Sequence, residues 1–175
     1  MDRAVAVVGL MGAGKTTLGR ALAARLGRRF RDSDVDIEAA TGRSARDIAA
    51  TDGVAALHAL ERRVLLDALT EPGVVAAAAS TLDDPDTAAA LSTVLVVWPD
   101  TAPEVLAERF ASRPGRPVYG DPLAVLRAQD VARRAALTRV ADVVVDATAS
   151  TSDQVAAVLA AVPALGPAAA GPRAV

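Results

Sequence analysis

Residues 9–17 read Gly-Leu-Met-Gly-Ala-Gly-Lys-Thr-Thr and decide the fold of this 175-residue chain. Their pattern, G-x-x-x-x-G-K-[ST], is typical of a loop whose backbone N–H groups bind a polyphosphate. The apolar run 4–8 before the loop predicts a buried strand, and the helical spacing of Leu18, Leu22 and Leu26 after it predicts a helix. A strand, a glycine loop and a helix N-terminus in this order direct N–H groups and partial positive charge at one point. The sequence therefore predicts a nucleotide-binding α/β fold.

Each fixed position of the pattern has a physical task. We expect Gly9, Gly12 and Gly14 to allow close approach of the backbone to phosphate and to adopt positive φ without strain. Lys15 is expected to reach the β- and γ-phosphates, and the Thr16 hydroxyl to hold Mg²⁺. Lys15 is also the only lysine of the chain, whose other strong bases are all arginine. An arginine does not reproduce the compact point charge of an ammonium, so this exception favours a specific task for Lys15.

Composition excludes several classes of protein. The net charge is −2 and no dense basic stretch occurs, which argues against a nucleic-acid partner. The chain has no cysteine, and therefore neither a disulfide framework nor a thiolate metal site. No apolar run is long enough for a signal peptide or a membrane span, so we expect a soluble cytoplasmic protein without a membrane partner. With two Phe, one Tyr and one Trp, its core must be aliphatic.

A second group of polar residues, Asp32-Ser33-Asp34, follows a short predicted strand. Carboxylates at the C-terminal end of such a strand lie at the edge where open α/β sheets bind ligands. One interpretation is a helix N-cap, because Asp34 precedes a plausible helix start at Val35. Beside a phosphate loop, the pair is also a candidate site for Mg²⁺ and a hydroxyl group.

Residues 34–51 are predicted to form two short helices, and a longer helix is predicted from about Val54 to Leu69. His58, the only histidine, lies three residues before Glu61 on that longer helix, so the two side chains can meet. They form either a solvated pair at the flank of the helix or part of a ligand site.

The remaining chain alternates predicted strands, at 74–78, 93–98 and 142–146, with helices. Five strands in this alternation predict a parallel sheet with helices on both faces. The segment 112–122 is rich in Pro and Gly and carries two arginines, which suits either a mobile lid over a phosphate site or an ordinary loop. We expect residues 163–175 to be disordered.

With these motifs in place, residues 3–162 resemble the shikimate kinase family. The resemblance rests on residues 9–20, Asp32-Ser33-Asp34, Ile37-Glu38, Thr41-Gly42-Arg43-Ser44, Ile48 and Asp52-Gly53. It implies a three-layer P-loop kinase fold with five parallel strands in the order 2-3-1-4-5. It further implies one domain over 1–162, with substrate-binding helices at about 34–70 and a lid at about 112–122. The activity implied is transfer of a phosphoryl group from ATP to a small-molecule acceptor in aromatic amino acid biosynthesis, and we expect a monomer.

The resemblance also assigns roles to single residues. It places ATP against Gly12, Ala13, Gly14, Lys15, Thr16, Thr17, Arg109 and Arg116, and Mg²⁺ against Thr16 and Asp32. Asp34 would bind the attacking hydroxyl and act as its base, while Lys15 and Arg116 stabilise the transferred group. Arg134 would meet the acceptor carboxylate, and Arg109 would pack on adenine.

The departures from the family cluster on the acceptor. His58 stands where the family has an arginine, and Ala78-Ala79-Ser80 stands where it has three glycines. A neutral imidazole offers no permanent cation, and the added side chains are expected to hinder approach and restrict φ. We count His58, Ala79, Ser80, Asp34 and Arg134 as candidate acceptor contacts. Three hypotheses follow: a kinase that binds shikimate weakly, a nucleotide-binding protein without useful kinase activity, and a kinase for another hydroxylated metabolite.

Overall fold

One parallel sheet organises the computed structural model, which describes residues 3–112 and 121–162. Its strands are β1 (Val5–Gly9), β2 (Phe30–Asp32), β3 (Val74–Ala78), β4 (Leu95–Asp100) and β5 (Val143–Asp146). They lie in the order β2-β3-β1-β4-β5, and each neighbouring pair is parallel. The predicted fold class and strand order are therefore confirmed.

The helices fall between the strands at the positions the sequence predicts. They are α1 (Lys15–Leu26), α2 (Ser33–Thr41), α3 (Ala45–Thr51), α4 (Val54–Ala68), α5 (Pro85–Leu91), α6 (Pro103–Ala111), α7 (Pro122–Val140) and α8 (Thr151–Ala161). A 3-10 helix, Ala79–Asp83, follows β3 directly, at a place where the sequence indicates only the end of a strand. Of the predicted lid, residues 113–120 lie outside the described residues, as does the whole of the predicted tail at 163–175.

Strand alternation divides the core between the two faces of the sheet. In β1, Val5 and Val7 face one cluster while Ala6 and Val8 face the other, as the two-residue period of a strand requires. The first cluster is closed by leucines of α1 and by α8, and the second by apolar residues of α4, α6 and α7. Helices thus cover both faces, and the buried apolar side chains of the described residues are aliphatic apart from Trp98, with the partly buried Phe30 packed against them.

A small separate cluster joins the three helices that follow β2. Ile37, Ile48 and Val64 are each at least nine-tenths buried and pack together, which holds α2 and α3 against α4. Because α2 begins directly after β2, its first turn lies at the carboxyl edge of the sheet, where parallel sheets bind ligands. Among the described residues, no helix is both long and apolar enough to cross a lipid bilayer.

Candidate active site

The loop between β1 and α1 presents an uncapped helix N-terminus. Gly12 and Gly14 have φ of 85° and 87°, so both need the conformational freedom of glycine, as predicted. Within the described residues, no side chain caps α1 and its first turn carries no acidic residue. By contrast, Asp or Ser side chains cap α2, α3, α5, α7 and α8. The first N–H groups of α1 are therefore left for an anionic ligand.

Gly9 differs from the prediction. Its φ is not positive, because Gly9 is the last residue of β1 and has extended backbone. The tightness of the packing explains the glycine instead, since an added Cβ would lie 3.4 Å from both the Pro99 carbonyl oxygen and Trp98 Cδ1. Gly9 thus allows β4 to pass close to the start of the loop.

Lys15 lies inside the loop, where burial dominates its protonation. Its Nζ donates a hydrogen bond to the Leu10 carbonyl oxygen over 3.0 Å. Burial lowers the pKa of Lys15, and the negative charges of Asp34, Asp32 and Glu61 act in the opposite direction. The ammonium therefore interacts electrostatically with three carboxylates, one each from α2, β2 and α4.

Thr16 and Asp32 meet across the sheet edge. The Thr16 hydroxyl donates to Asp32 Oδ2 over 2.6 Å, joining the start of α1 to the end of β2. Asp32 is buried, while Thr16 is exposed. A hydroxyl and a carboxylate side by side are oxygen ligands of the kind that Mg²⁺ takes, with substrate phosphates and water completing its shell.

The residue that caps α2 is Asp32, and the capping interpretation that used Asp34 is wrong in this detail. Asp32 Oδ1 accepts a hydrogen bond from the Asp34 backbone N–H over 3.1 Å. The cap is formed two residues earlier than expected, because α2 begins at Ser33. The Asp34 side chain is consequently exposed on the first turn of α2, on the side that faces Lys15.

The segment Ala78-Ala79-Ser80 does not carry the strain expected of it. Ala78 has φ −69° and ψ 148°, and no described non-glycine residue has positive φ. The side chain of Ala79 is 4% exposed and packs in the core, so only its backbone can face a ligand. Ser80 points the other way, and its hydroxyl donates to Glu61 Oε2 over 2.6 Å.

Glu61 is a buried carboxylate beside Ser80, and the sequence suggested it only as the partner of His58, in a solvated pair or a ligand site. Burial raises the pKa of Glu61; the Ser80 hydrogen bond and the charges of His58 and Arg133 act to lower it, and Asp34 acts to raise it. His58 is half-buried one turn away on α4 and interacts electrostatically with Glu61. His58 and Glu61 thus interact electrostatically, and a direct contact between their side chains stays a prediction.

Two adjacent arginines of α7 point to different places. Arg134 donates to both Asp100 oxygens over 2.9 and 3.0 Å, also pairs with Asp130, and lies 5.1 Å from the Trp98 ring centroid. These carboxylates, Asp100 first, raise the pKa of Arg134. Arg133 instead pairs with Asp83 over 2.7 Å and is close enough to Glu61 to affect its charge state.

Arg133 was missed because the sequence shows only four arginines along one helix, without their direction. Its side chain is 15% exposed, against 42% for Arg134, so it is the more deeply placed of the two cations. Arg134, the residue that the resemblance suggested, has its guanidinium fully engaged at the end of β4. Its role toward an acceptor stays a prediction.

Arg109 lies beside the loop between β1 and α1. Its guanidinium donates to the Gly12 carbonyl oxygen over 3.3 Å and to the Ala147 carbonyl oxygen over 2.5 Å, which joins the phosphate loop to the turn after β5. Ala13 is buried and Thr17 is exposed. This suits the predicted contacts with ATP if Ala13 contributes its backbone and Thr17 its side chain. Arg116 lies outside the described residues.

Comparisons with known proteins agree with this geometry. The family model described as shikimate kinase matches residues 11–162. The shikimate kinase of Paramagnetospirillum magneticum is 40% identical over 152 residues, which cover 85% of this chain and 77% of that protein. The shikimate kinase of Streptomyces coelicolor is 37% identical over 153 residues, covering 86% and 90%. Among solved structures, shikimate kinase from Acinetobacter baumannii in complex with shikimate aligns with a TM-score of 0.85 at 28% identity, covering 93% of each chain.

Proposed function

The chain belongs to the shikimate kinase family, and we propose that it transfers the γ-phosphoryl group of ATP to a hydroxyl of shikimate or a closely related carboxylated ring. The observation that carries this proposal is the meeting of Lys15, Thr16 and Asp32 at the edge of the sheet beside Asp34. A phosphate-binding cation, a metal-binding pair and a carboxylate for the acceptor hydroxyl then lie in one place.

The reaction needs little covalent chemistry from the protein. The acceptor hydroxyl oxygen attacks the γ-phosphorus, a new P–O bond forms, and the bond to the β,γ-bridging oxygen breaks as ADP leaves. Asp34 orients the hydroxyl and receives its proton. Lys15 leaves its hydrogen bond to the Leu10 carbonyl and follows the negative charge on the β- and γ-phosphates. Positioning and charge therefore supply the rate enhancement.

Magnesium fits the pair Thr16 and Asp32. Both side chains offer oxygen, they lie 2.6 Å apart, and Mg²⁺ is usually held in kinases by one or two protein oxygens together with phosphates. When bound, Mg²⁺ would neutralise charge on the phosphates.

The carboxylate of the acceptor is best matched by Arg133. Arg134 already satisfies two carboxylates and stacks on Trp98, so freeing it would expose Asp100 and Asp130 without a partner. Among the described residues, Arg133 pairs with a single carboxylate, that of the half-exposed Asp83, and it interacts electrostatically with Glu61. His58 adds no permanent cation, so we expect weaker acceptor binding than two arginines would allow.

Two further parts of the proposal concern context. We propose that the protein acts as a cytoplasmic monomer, forming one domain over residues 1–162, on ATP and a small-molecule acceptor, without nucleic acid or membrane. The role of a nucleotide-binding protein without kinase activity is not favoured, because relatives sharing 37–40% of their residues with this chain are named as kinases.

A coupled assay of ADP release tests the proposal. ADP should form from ATP and Mg²⁺ only when shikimate is added, and Asp34→Asn should lower that rate by at least about a hundredfold. ADP release that is equally fast with and without shikimate would contradict the proposed acceptor.

A further inference from the structure

Ser80 and Glu61 form a buried hydrogen bond between two elements that border the acceptor pocket. Ser80 is on the 3-10 helix that follows β3, and Glu61 is in the middle of α4. The 2.6 Å bond from Ser80 Oγ to Glu61 Oε2 therefore joins segments 19 residues apart in the chain. Both elements end or pass at the carboxyl edge of the sheet, where ligands of such folds bind.

The bond leaves half of the carboxylate unused. Glu61 is 6% exposed, yet the hydrogen bond from Ser80 is the only one that it accepts from the described residues. No buried side-chain oxygen of the described residues lacks a partner, so Glu61 Oε1 is not sealed in the core. This oxygen is an open acceptor for a hydroxyl or water in an otherwise dry environment.

The charges around Glu61 come from four elements. Asp34 faces it from α2, Arg133 from α7 and Lys15 from the start of α1, while His58 is on its own helix. Arg62, the next residue of α4, is turned away and pairs with Asp84. The groups that set the state of Glu61 are thus those that also border the acceptor.

Among the described residues, only Ser80 fixes the direction of Glu61 by a hydrogen bond. The surrounding charges act over a distance and favour or oppose the ionised form without holding the side chain in one rotamer. A short hydrogen bond from a neutral hydroxyl both holds the side chain in one rotamer and favours its ionised form, because the bond occupies one carboxylate oxygen and stabilises the anion. Alanine or glycine at position 80 offers no donor.

We propose that Ser80 is a positioning residue of the acceptor site, whose hydroxyl holds Glu61 so that Oε1 faces a hydroxyl group of the bound acceptor. The proposal rests on the proposed phosphoryl transfer to a hydroxylated carboxylate. It turns Ser80, which the sequence suggests as an obstacle, into a residue that selects acceptors with a hydroxyl opposite Glu61. Because burial already raises the pKa of Glu61, loss of the Ser80 bond raises it further and extends the acidic range in which binding fails.

The test compares Ser80→Ala with Ser80→Thr, which keeps the hydroxyl, and with Ser92→Ala, a remote serine that bonds only the backbone of its own helix turn. The KM for shikimate and kcat are measured from pH 5.5 to 8.5. We expect Ser80→Ala to raise KM about tenfold near pH 6, with a smaller change in kcat and with the acidic rise in KM beginning at higher pH. Ser80→Thr should restore most of the wild-type profile, and Ser92→Ala should match wild type throughout.

A ¹³C NMR titration of the Glu61 carboxyl, assigned with Glu61→Gln, tests the link without substrate. Ser80→Ala should raise the Glu61 pKa, and Ser80→Thr should not. An unchanged titration in Ser80→Ala overturns the proposal, as does an altered titration with an unchanged pH profile of KM. If the wild-type protein does not phosphorylate shikimate, the proposed function is wrong. This result is distinct from a refutation of the role of Ser80, because it is obtained with the wild-type protein before any substitution is made.

Discussion

Replacing Lys15 with methionine removes the ammonium from the phosphate loop while keeping a side chain of similar length. The expected loss can be worked from its contacts. Two charge-assisted hydrogen bonds to the β- and γ-phosphates contribute about 3–6 kcal/mol. Lys15 must first give up its 3.0 Å bond to the Leu10 carbonyl oxygen, which offsets about 1.5 kcal/mol of that gain. The net effect predicts a fall in kcat/KM of about 10- to 2,000-fold.

The stability of this variant separates a lost contact from a damaged fold. Burial lowers the pKa of Lys15, so the folded protein holds this proton less tightly than the unfolded chain does. The charge therefore destabilises the fold at neutral pH, and this penalty disappears as pH rises above the lowered pKa. We expect Lys15→Met to melt at the same temperature as wild type or higher.

The assay is steady-state ADP release at varied ATP, with thermal melts of the same samples. Lys15→Arg is the matched control, because it keeps the charge and changes its geometry, and it should also lose activity. A kcat/KM within threefold of wild type for Lys15→Met would refute the role of the ammonium. A melting temperature lower by more than about 5 °C would refute the inference that its charge opposes folding.

Four further substitutions have expected outcomes. Arg133→Ala should raise the KM for shikimate at least tenfold with little loss of stability. Arg134→Ala should mainly lower the melting temperature, because it leaves the carboxylates of Asp100 and Asp130 unpaired. Steady-state kinetics and thermal melts of both variants show which arginine contributes to acceptor binding. Asp32→Asn should raise the Mg²⁺ concentration needed for half-maximal rate several-fold, and a Mg²⁺ titration with an unchanged midpoint would contradict its metal role. Glu61→Gln should flatten the pH dependence of stability. Because the folded state raises the pKa of Glu61, the free energy of unfolding of the wild type falls as pH rises through that pKa. Denaturant melts at pH 5 and pH 8 should show this difference in the wild type alone.

The nucleotide half could be predicted from the sequence because its chemistry is carried by the backbone. Glycine spacing encodes the positive φ of Gly12 and Gly14, and the flanking apolar runs encode the strand and helix that direct the loop. Only Gly9 departs, since its contact with β4 depends on which strand lies beside β1. The sequence pattern around Gly9 does not indicate that β4 is the strand beside β1.

The acceptor half depended on side-chain direction, which the sequence does not contain. Arg133 and Arg134 are adjacent, but neighbouring helix positions differ by about 100°, and only packing tells which one faces the pocket. Likewise, the donor role of Ser80 depends on the 3-10 helix after β3, which turns Ala79 into the core and Ser80 toward Glu61. Propensity alone does not predict that turn.

The most direct test of phosphoryl transfer to shikimate is a ³¹P NMR time course of the full-length protein with ATP, Mg²⁺ and shikimate. We predict that the γ-phosphate signal of ATP is replaced by the signal of a phosphomonoester of shikimate, and that the amounts of phosphomonoester and ADP formed are equal. ATP should persist when shikimate is omitted. ADP accompanied by inorganic phosphate alone, or an unchanged ATP spectrum in the presence of shikimate, would contradict the account.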